Sequence, residues 1–264
     1  MTPPDTSLQG RHALVCGASM GIGRAAALAL AARGADVTVL ARSAGKLEAL
    51  LPELHAAGAP RARALVADLD DRPALGVALD GLLAEHGPVH VLVNNTGGPP
   101  AGPLLEADDE LFLTTFARHV LASHLLVRTL LPGMRAAGFG RIVNVISISV
   151  REPIAGLGVS NTIRGAMASW SKTLSGELPP GVTINNVLPG YTATERLDEL
   201  ADELHARTGR DHDAIRRDWV AAVPEGRLAE PAEIAAAIAW LASPEAAMVR
   251  GVSLPVDGGR LKGL

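Results

Sequence analysis

The sequence predicts an α/β protein in which a doubly wound, seven-stranded parallel sheet carries helices on both faces. Three observations carry this expectation. Short β-branched or apolar runs alternate along the chain with Ala/Leu-rich stretches of helical length. Those runs are continuously apolar rather than alternating, as strands covered on both faces are. The first run leads straight into a glycine-rich turn, "CGASMGIG" (Cys16 to Gly23), that opens a helix. With 264 residues, 48% of them hydrophobic and 20% charged, the chain can bury one large core in a single domain.

The elements follow in order. His12–Cys16 reads as the first strand, and Ile22–Arg33, almost pure Ala and Leu, as the first helix. Asp36–Ala41 is the second strand, Ala44–Ala57 a helix, Ala62–Ala67 a strand, Arg72–His86 a helix and Val89–Val93 a strand. One long helix is expected over Asp108–Ala137, then a strand over Arg141–Ser147. Val159–Leu178 is a helix, since Ile163, Met167, Trp170 and Leu174 recur at 3.6-residue spacing. Thr183–Val187 is a strand, Glu230–Leu241 a helix that begins just before Pro231, and Val252–Val256 the last strand. Residues 191–227 are polar, charged and too long for a simple connection, so they read as a helical insertion leaving a strand end, a candidate lid.

Composition excludes several classes. The net charge is -4, and the basic residues are spread rather than clustered, so no nucleic-acid or membrane-surface partner is expected. The single cysteine, Cys16, rules out an internal disulfide and fits a reducing cytoplasm. The opening "MTPPDTSLQG" has neither a basic nor an apolar leader segment. The most membrane-like run, Leu111 to Leu131, contains Arg118, His119, His124 and Arg128 and reads as a soluble helix.

The glycine turn carries the first chemistry. Gly17 can turn with positive φ, Gly21 lets backbone N–H groups approach a pyrophosphate, and Gly23 permits close helix–strand packing. The bland alternative is a structural turn. In the first strand–helix unit of this topology, dinucleotide binding is the expectation.

Further motifs agree in order and spacing. Gly17-x-x-x-Gly21-x-Gly23, Asp68 after the third strand, "NNTGG" (Asn94 to Gly98), "LPGMRAAGFGRIVNVIS", "INNVLPGYTAT" (Ile184 to Thr194), "GRLAEPAEIAAAIAWLAS" and "VDGG" occur in turn. On these the whole chain resembles the short-chain dehydrogenase/reductase family, with its Rossmann-type sheet. The resemblance implies an NAD(P)-dependent oxidoreductase acting on a small molecule, and a homotetramer or homodimer with the long helix and the Val159–Leu178 helix at one interface. It implies cofactor contacts from Gly17, Ser19, Gly21, Ile22, Gly23, Asp68, Asn94 and Gly97. Pro189, Gly190, Thr192 and Thr194 fall in the segment that holds the nicotinamide carboxamide. Arg42 stands where a carboxylate would select NAD, and an arginine there suits the 2′-phosphate of NADP.

The family's catalytic positions are altered. Ser147 falls at the serine position. Thirteen residues on, where the family has tyrosine, stands Ser160; four further, in place of lysine, stands Arg164. His119, thirteen residues before Pro132, takes the place of the helix asparagine. A serine hydroxyl only donates or accepts hydrogen bonds, whereas a phenol can give up a proton. Arginine relays no proton but can hold ribose hydroxyls or an oxyanion. His119 is the one replacement whose free pKa lies near neutrality, although Arg164 nearby would depress it. Lys172 lies about 12 Å along the helix from Arg164, too far to substitute for it. Asn161 and the only tyrosine, Tyr191, are candidate substrate contacts. A cap role for Ser160 and Asn161, an ion pair for Arg164 and a core role for His119 are the structural alternatives.

Three functions stay open at this point. One is hydride transfer with NADP(H) to or from a carbonyl, the proton coming from His119 or from a water held by Ser147, Ser160 and Arg164, or hydride delivery to an enone or imine that needs no enzymic acid. The others are a non-redox enzyme (dehydratase, isomerase or cyclase) and a dinucleotide sensor. No metal is expected. The lid's Leu197, Leu200, Leu204, Ile215, Trp219 and Val223 either line a substrate pocket or seat the lid.

Overall fold

The computed structural model describes residues 6–263, so residues 1–5, half of the opening segment read above as lacking a leader, lie outside it. Seven parallel strands form one sheet in the order β3-β2-β1-β4-β5-β6-β7. They are β1 His12–Cys16, β2 Asp36–Ala41, β3 Ala62–Val66, β4 Val91–Asn94, β5 Gly140–Val145, β6 Val182–Pro189 and β7 Ser253–Val256. Every residue of β1, β2, β4, β5 and β6 is buried, which is why their sequences carry no alternation. The helices are α1 Gly21–Ala31, α2 Ala44–Ala57, α3 Arg72–His86, α4 Asp109–Phe116, α5 Ala122–Ala136, α6 Gly158–Glu177, α7 Glu195–Thr208, α8 His212–Ala221 and α9 Pro231–Ala242. One apolar layer joins α1, α2 and α9 to one face of the sheet, and another joins α3, α5 and the end of α6 to the other.

The single long helix expected over Asp108–Ala137 is not continuous. A π-helical turn at Ala117–Leu121 separates α4 from α5, and it turns His119 inward, where the ring is 4% exposed. The insertion resolves into α7 and α8. Their apolar residues, Leu197, Leu200, Ala201, Leu204, Ile215 and Trp219, pack with Tyr191 and Leu228 in a cluster of their own. These positions therefore hold α7 and α8 together, and Leu197 and Trp219 also line a cavity beside Gly21. Among the described residues no helix is long and apolar enough to cross a membrane.

A ladder of amides crosses the sheet. Asn94 Nδ2 donates to Asn144 Oδ1 at 2.8 Å, Asn144 Nδ2 to Asn186 Oδ1 at 2.9 Å, and Asn186 Nδ2 to Ser253 Oγ at 3.1 Å. These residues are direct register partners on β4, β5, β6 and β7.

Candidate active site

The strand order reverses between β1 and β4, and in such sheets the ligand crevice opens beyond the carboxyl ends of those strands. Gly17 follows β1 with φ of 59°, and a Cβ there would lie 2.6 Å from the carbonyl oxygen of Asn95, which follows β4. Asn95 Nδ2 ties the two loops by donating to the carbonyls of Cys16 at 3.4 Å and Gly17 at 3.2 Å. A Cβ on Gly23 would meet Gly17 O at 2.2 Å, so only glycine lets α1 come this close. Helix α1 starts at Gly21 with no side-chain cap from Met20, leaving its first N–H groups facing the crevice mouth, beside Ser19 and Ile22. The cradle fits a pyrophosphate. Cys16, at the end of β1, is fully buried, and burial pushes its thiol up to about 12, an inert form.

Beyond the ends of β2 and β3, Arg42 and Asp68 face one another, with Nη1 and Oδ2 3.9 Å apart and Arg42 75% exposed. Asp70 forms a bidentate pair with Arg118 of the π-helical turn, which holds the Asp70 carboxyl below its usual range.

The candidate catalytic residues converge from β5 and α6. Ser147 follows the end of β5, and its Oγ accepts from Ser149 N at 3.0 Å. On α6, Arg164 Nε donates to Ser160 Oγ at 3.3 Å, while its Nη1 donates to Ile146 O at 2.8 Å and Val145 O at 3.3 Å. Arg164 therefore stitches the first turns of α6 to the backbone just before Ser147. Its guanidinium has no carboxylate partner among the described residues. Burial, with the charge of Arg196 adding, pushes its pKa down to about 10.

These contacts bear on two readings of the sequence. Ser160 and Asn161 do not cap the helix, because α6 begins a turn earlier with Leu157 as its N-cap. Asn161 was a candidate substrate contact, but its amide closes on the backbone of Ile154, Nδ2 donating to the carbonyl at 2.9 Å and Oδ1 accepting from the N–H at 3.4 Å. Lys172 is turned away, donating to Gly251 O.

His119, the candidate proton donor, sits in surroundings that disfavour its charged form. Burial first, and Arg164 second, push its pKa down to about 3. Both nitrogens are engaged: Nδ1 lies 2.8 Å from Thr96 Oγ1 and Nε2 3.2 Å from Gly97 O. One tautomer satisfies both contacts, with Nε2–H donating to the carbonyl and Nδ1 accepting from the hydroxyl.

On β6 and beyond, Pro189 and Gly190 lie against the last strand, and Gly190 N donates to Val256 O. Thr192 Oγ1 donates to Gly190 O and Thr194 Oγ1 to Thr192 O, folding the segment back toward Gly21, where a Cβ would lie 3.3 Å from Thr194 Cγ2. Tyr191 is stacked on Trp219 with ring centroids 5.4 Å apart, and the Arg260 guanidinium sits 4.8 Å over its ring.

Sequence reasoning missed Arg196 at the start of α7. Its Nη2 donates to Pro99 O at 2.8 Å and its Nη1 to Glu199 at 3.2 Å and Glu203 at 3.0 Å, while Glu203 also accepts from Ala101 N at 2.8 Å. The spacing of Arg196, Glu199 and Glu203 along one helix face was visible in the sequence; that this face would reach the loop after β4 was not.

Comparison with known proteins adds the following. The family described as Enoyl-(Acyl carrier protein) reductase matches residues 17–260. The chain is 35% identical over 249 residues to the short-chain reductase protein NovJ of Streptomyces niveus, covering 94% of this chain and 93% of that one. It is 34% identical to the 3-oxoacyl-[acyl-carrier-protein] reductase FabG of Vibrio cholerae, covering 96% and 98%. The crystal structure of L-sorbose reductase from Gluconobacter frateurii, complexed with NADPH and L-sorbose, superposes with a TM-score of 0.91 at 30% identity, covering 98% of this chain and 100% of that one.

Proposed function

Since this chain belongs to the short-chain dehydrogenase/reductase family of NAD(P)-dependent oxidoreductases, we propose that it transfers a hydride between NADP(H) and a small carbonyl, enone or imine compound through an atypical active site. The observation that carries the reading is the cradle formed by Gly17, Gly23, Asn95 and the uncapped start of α1, which suits a bound anion of pyrophosphate type. The relatives named above are reductases, and the L-sorbose reductase structure holds NADPH. When bound, the dinucleotide supplies the hydride.

The chain's own residues have these roles. Gly21, Ile22 and Ser19 present backbone N–H groups to the pyrophosphate, Arg42 receives the 2′-phosphate that marks NADP over NAD, and Asp68 faces the adenine. Asn94 and Gly97 flank the nicotinamide ribose, and Pro189, Gly190, Thr192 and Thr194 hold the carboxamide. Arg164 orients the ribose and stabilises negative charge that develops on the substrate oxygen, work its fork does without losing a proton. Ser147 and Ser160 hold that oxygen, or a water beside it, by hydrogen bonds. His119 supports the Thr96–Gly97 backbone as a neutral ring, and Tyr191 closes the substrate side. None of these groups is an acid near neutral pH, so the favoured substrates are those whose reduced form takes its proton from water, such as a conjugated enone. The protein works in the cytoplasm as a dimer or tetramer, with exposed Leu113, Phe116 and Leu121 of the α4–α5 segment at the contact.

NADPH binding followed by fluorescence, together with loss of NADPH absorbance across a panel of ketones, enones and imines, tests this. Binding with no oxidation by any member of the panel would overturn hydride transfer and leave a sensor or a non-redox enzyme. In a second arm, Ser160→Tyr with Arg164→Lys is expected to raise ketone reduction over enone reduction.

A further inference from the structure

We propose that the space beside Gly98, between the guanidinium groups of Arg164 and Arg196, is an anion subsite that receives a carboxylate carried by the substrate. The occupant is called substrate on the strength of the oxidoreductase reading; the subsite itself rests on the following geometry. Arg164 Nη2 lies 3.6 Å and Arg196 Nε 3.8 Å from the point that a Cβ at Gly98 would occupy. Neither nitrogen has an acceptor among the described residues. Arg164 uses Nε and Nη1 on Ser160 Oγ and the Val145 and Ile146 carbonyls. Arg196 uses Nη1 on Glu199 and Glu203 and Nη2 on Pro99 O. Two guanidinium nitrogens thus flank one small volume that a glycine leaves free.

The charges point to the kind of anion. Arg196 already faces two carboxylates, Glu199 and Glu203, whereas Arg164 faces none among the described residues. The two arginines and two glutamates sum to zero, but both glutamates lie on Arg196. The Arg164 guanidinium is therefore the one with no counter-charge beside it among the described residues, and a monoanion held between the two would supply one. A carboxylate offers two oxygens in a plane, one for each guanidinium. Burial first, and Arg196 second, push the Arg164 pKa down to about 10, and an anion between the two guanidinium groups would oppose both effects. Gly98 adjoins Gly97, on which the His119 ring rests, and Arg164 also bonds Ser160, so the subsite abuts the hydroxyls that face the reacting oxygen. The substrate class is accordingly a short oxo acid or conjugated unsaturated acid, in preference to its neutral ester.

Calorimetric titration of the NADPH-loaded protein tests the assignment with acetoacetate, 4-oxopentanoate and the conjugated (E)-4-oxopent-2-enoate, each against its methyl ester. At least one acid is expected to bind about tenfold or more tightly than its ester, the effect of one charge-assisted contact. In Arg196→Gln and in Gly98→Val the preference should shrink to about twofold with NADPH affinity kept. Gly98 has no positive φ, so its backbone accepts a side chain, and this variant fills the volume without touching either charge. Equal binding of acid and ester in all three pairs, or a preference that survives both variants, overturns the subsite. NADPH absorbance in the same mixtures separates the two readings. Acid binding without any NADPH oxidation sustains the subsite and defeats hydride transfer; oxidation with no acid preference does the reverse.

Discussion

His119 lies 4% exposed between Thr96 and Gly97, and that position decides its charge. Its folded pKa of about 3 is below the unfolded value of 6.5, so as pH falls the unfolded chain takes up the proton first. The stability tied to this ring is complete above about pH 6.5 and is lost as pH falls from there toward about 3. His12, pushed down to about 4 by burial and by Arg63, adds to the same loss. We expect the urea midpoint to drop between about pH 7 and about pH 5, and His119→Asn to remove part of that drop. An unchanged drop in the variant would show that the ring is protonated in the folded protein. Arg42 supports a second prediction. Arg42→Ala should weaken NADPH binding about tenfold, the value of one charge-assisted contact, and leave NADH binding unaltered. Fluorescence titration with both nucleotides reads the difference, and equal weakening of both would remove Arg42 from the 2′-phosphate.

At the scale of elements, the β1–α1 junction is limited by how closely two backbones approach. Gly23→Ala would push a methyl group against Gly17 O, and overpacking of this kind costs about 1–3 kcal/mol. We expect thermal unfolding to shift down accordingly, and NADPH affinity to fall further than stability does, since the α1 N-terminus moves away from the crevice. Retained affinity in a stable Gly23→Ala protein would count against the cradle. The strands and most helices were legible because their signals are local: apolar runs, Ala/Leu stretches, and Pro231 at the start of α9. The break in Asp108–Ala137 was not legible. A π-helical turn adds one residue to a helix whose composition stays helical, and only the inward pull on His119 marks it. In the site, motif spacing put the glycine loop, Arg42 and Ser147 at the strand ends, where they stand. It could not show that Asn161 closes on Ile154 or that Arg196 reaches Pro99, because both contacts depend on where one loop passes another.

For the whole molecule, the exposed apolar residues of the α4–α5 segment lead to a prediction about assembly. Leu113 is 65% exposed and Phe116 38%, three residues apart on one helix face. Leu113→Glu with Phe116→Glu should convert an oligomer into monomers in light scattering; an unchanged mass would place the contact elsewhere. The asparagine ladder leads to another. Asn144→Val leaves the Asn94 amide and the Asn186 carbonyl oxygen buried without partners and should cost about 3 kcal/mol in urea unfolding. Adding Asn186→Val should cost less than the two single changes summed, because the partners are then removed together. The ladder also bears on how the chain finds its fold. Strands that are apolar on both faces carry little information about alignment, since a slip by one residue exchanges one greasy surface for another. β4 to β7 lie far apart along the chain and must be matched late, when many near-miss pairings compete. Each amide finds its neighbour in only one alignment, and any slip leaves four polar side chains facing hydrocarbon. The buried polar row thus serves as an index mark, telling otherwise interchangeable strands where to stop.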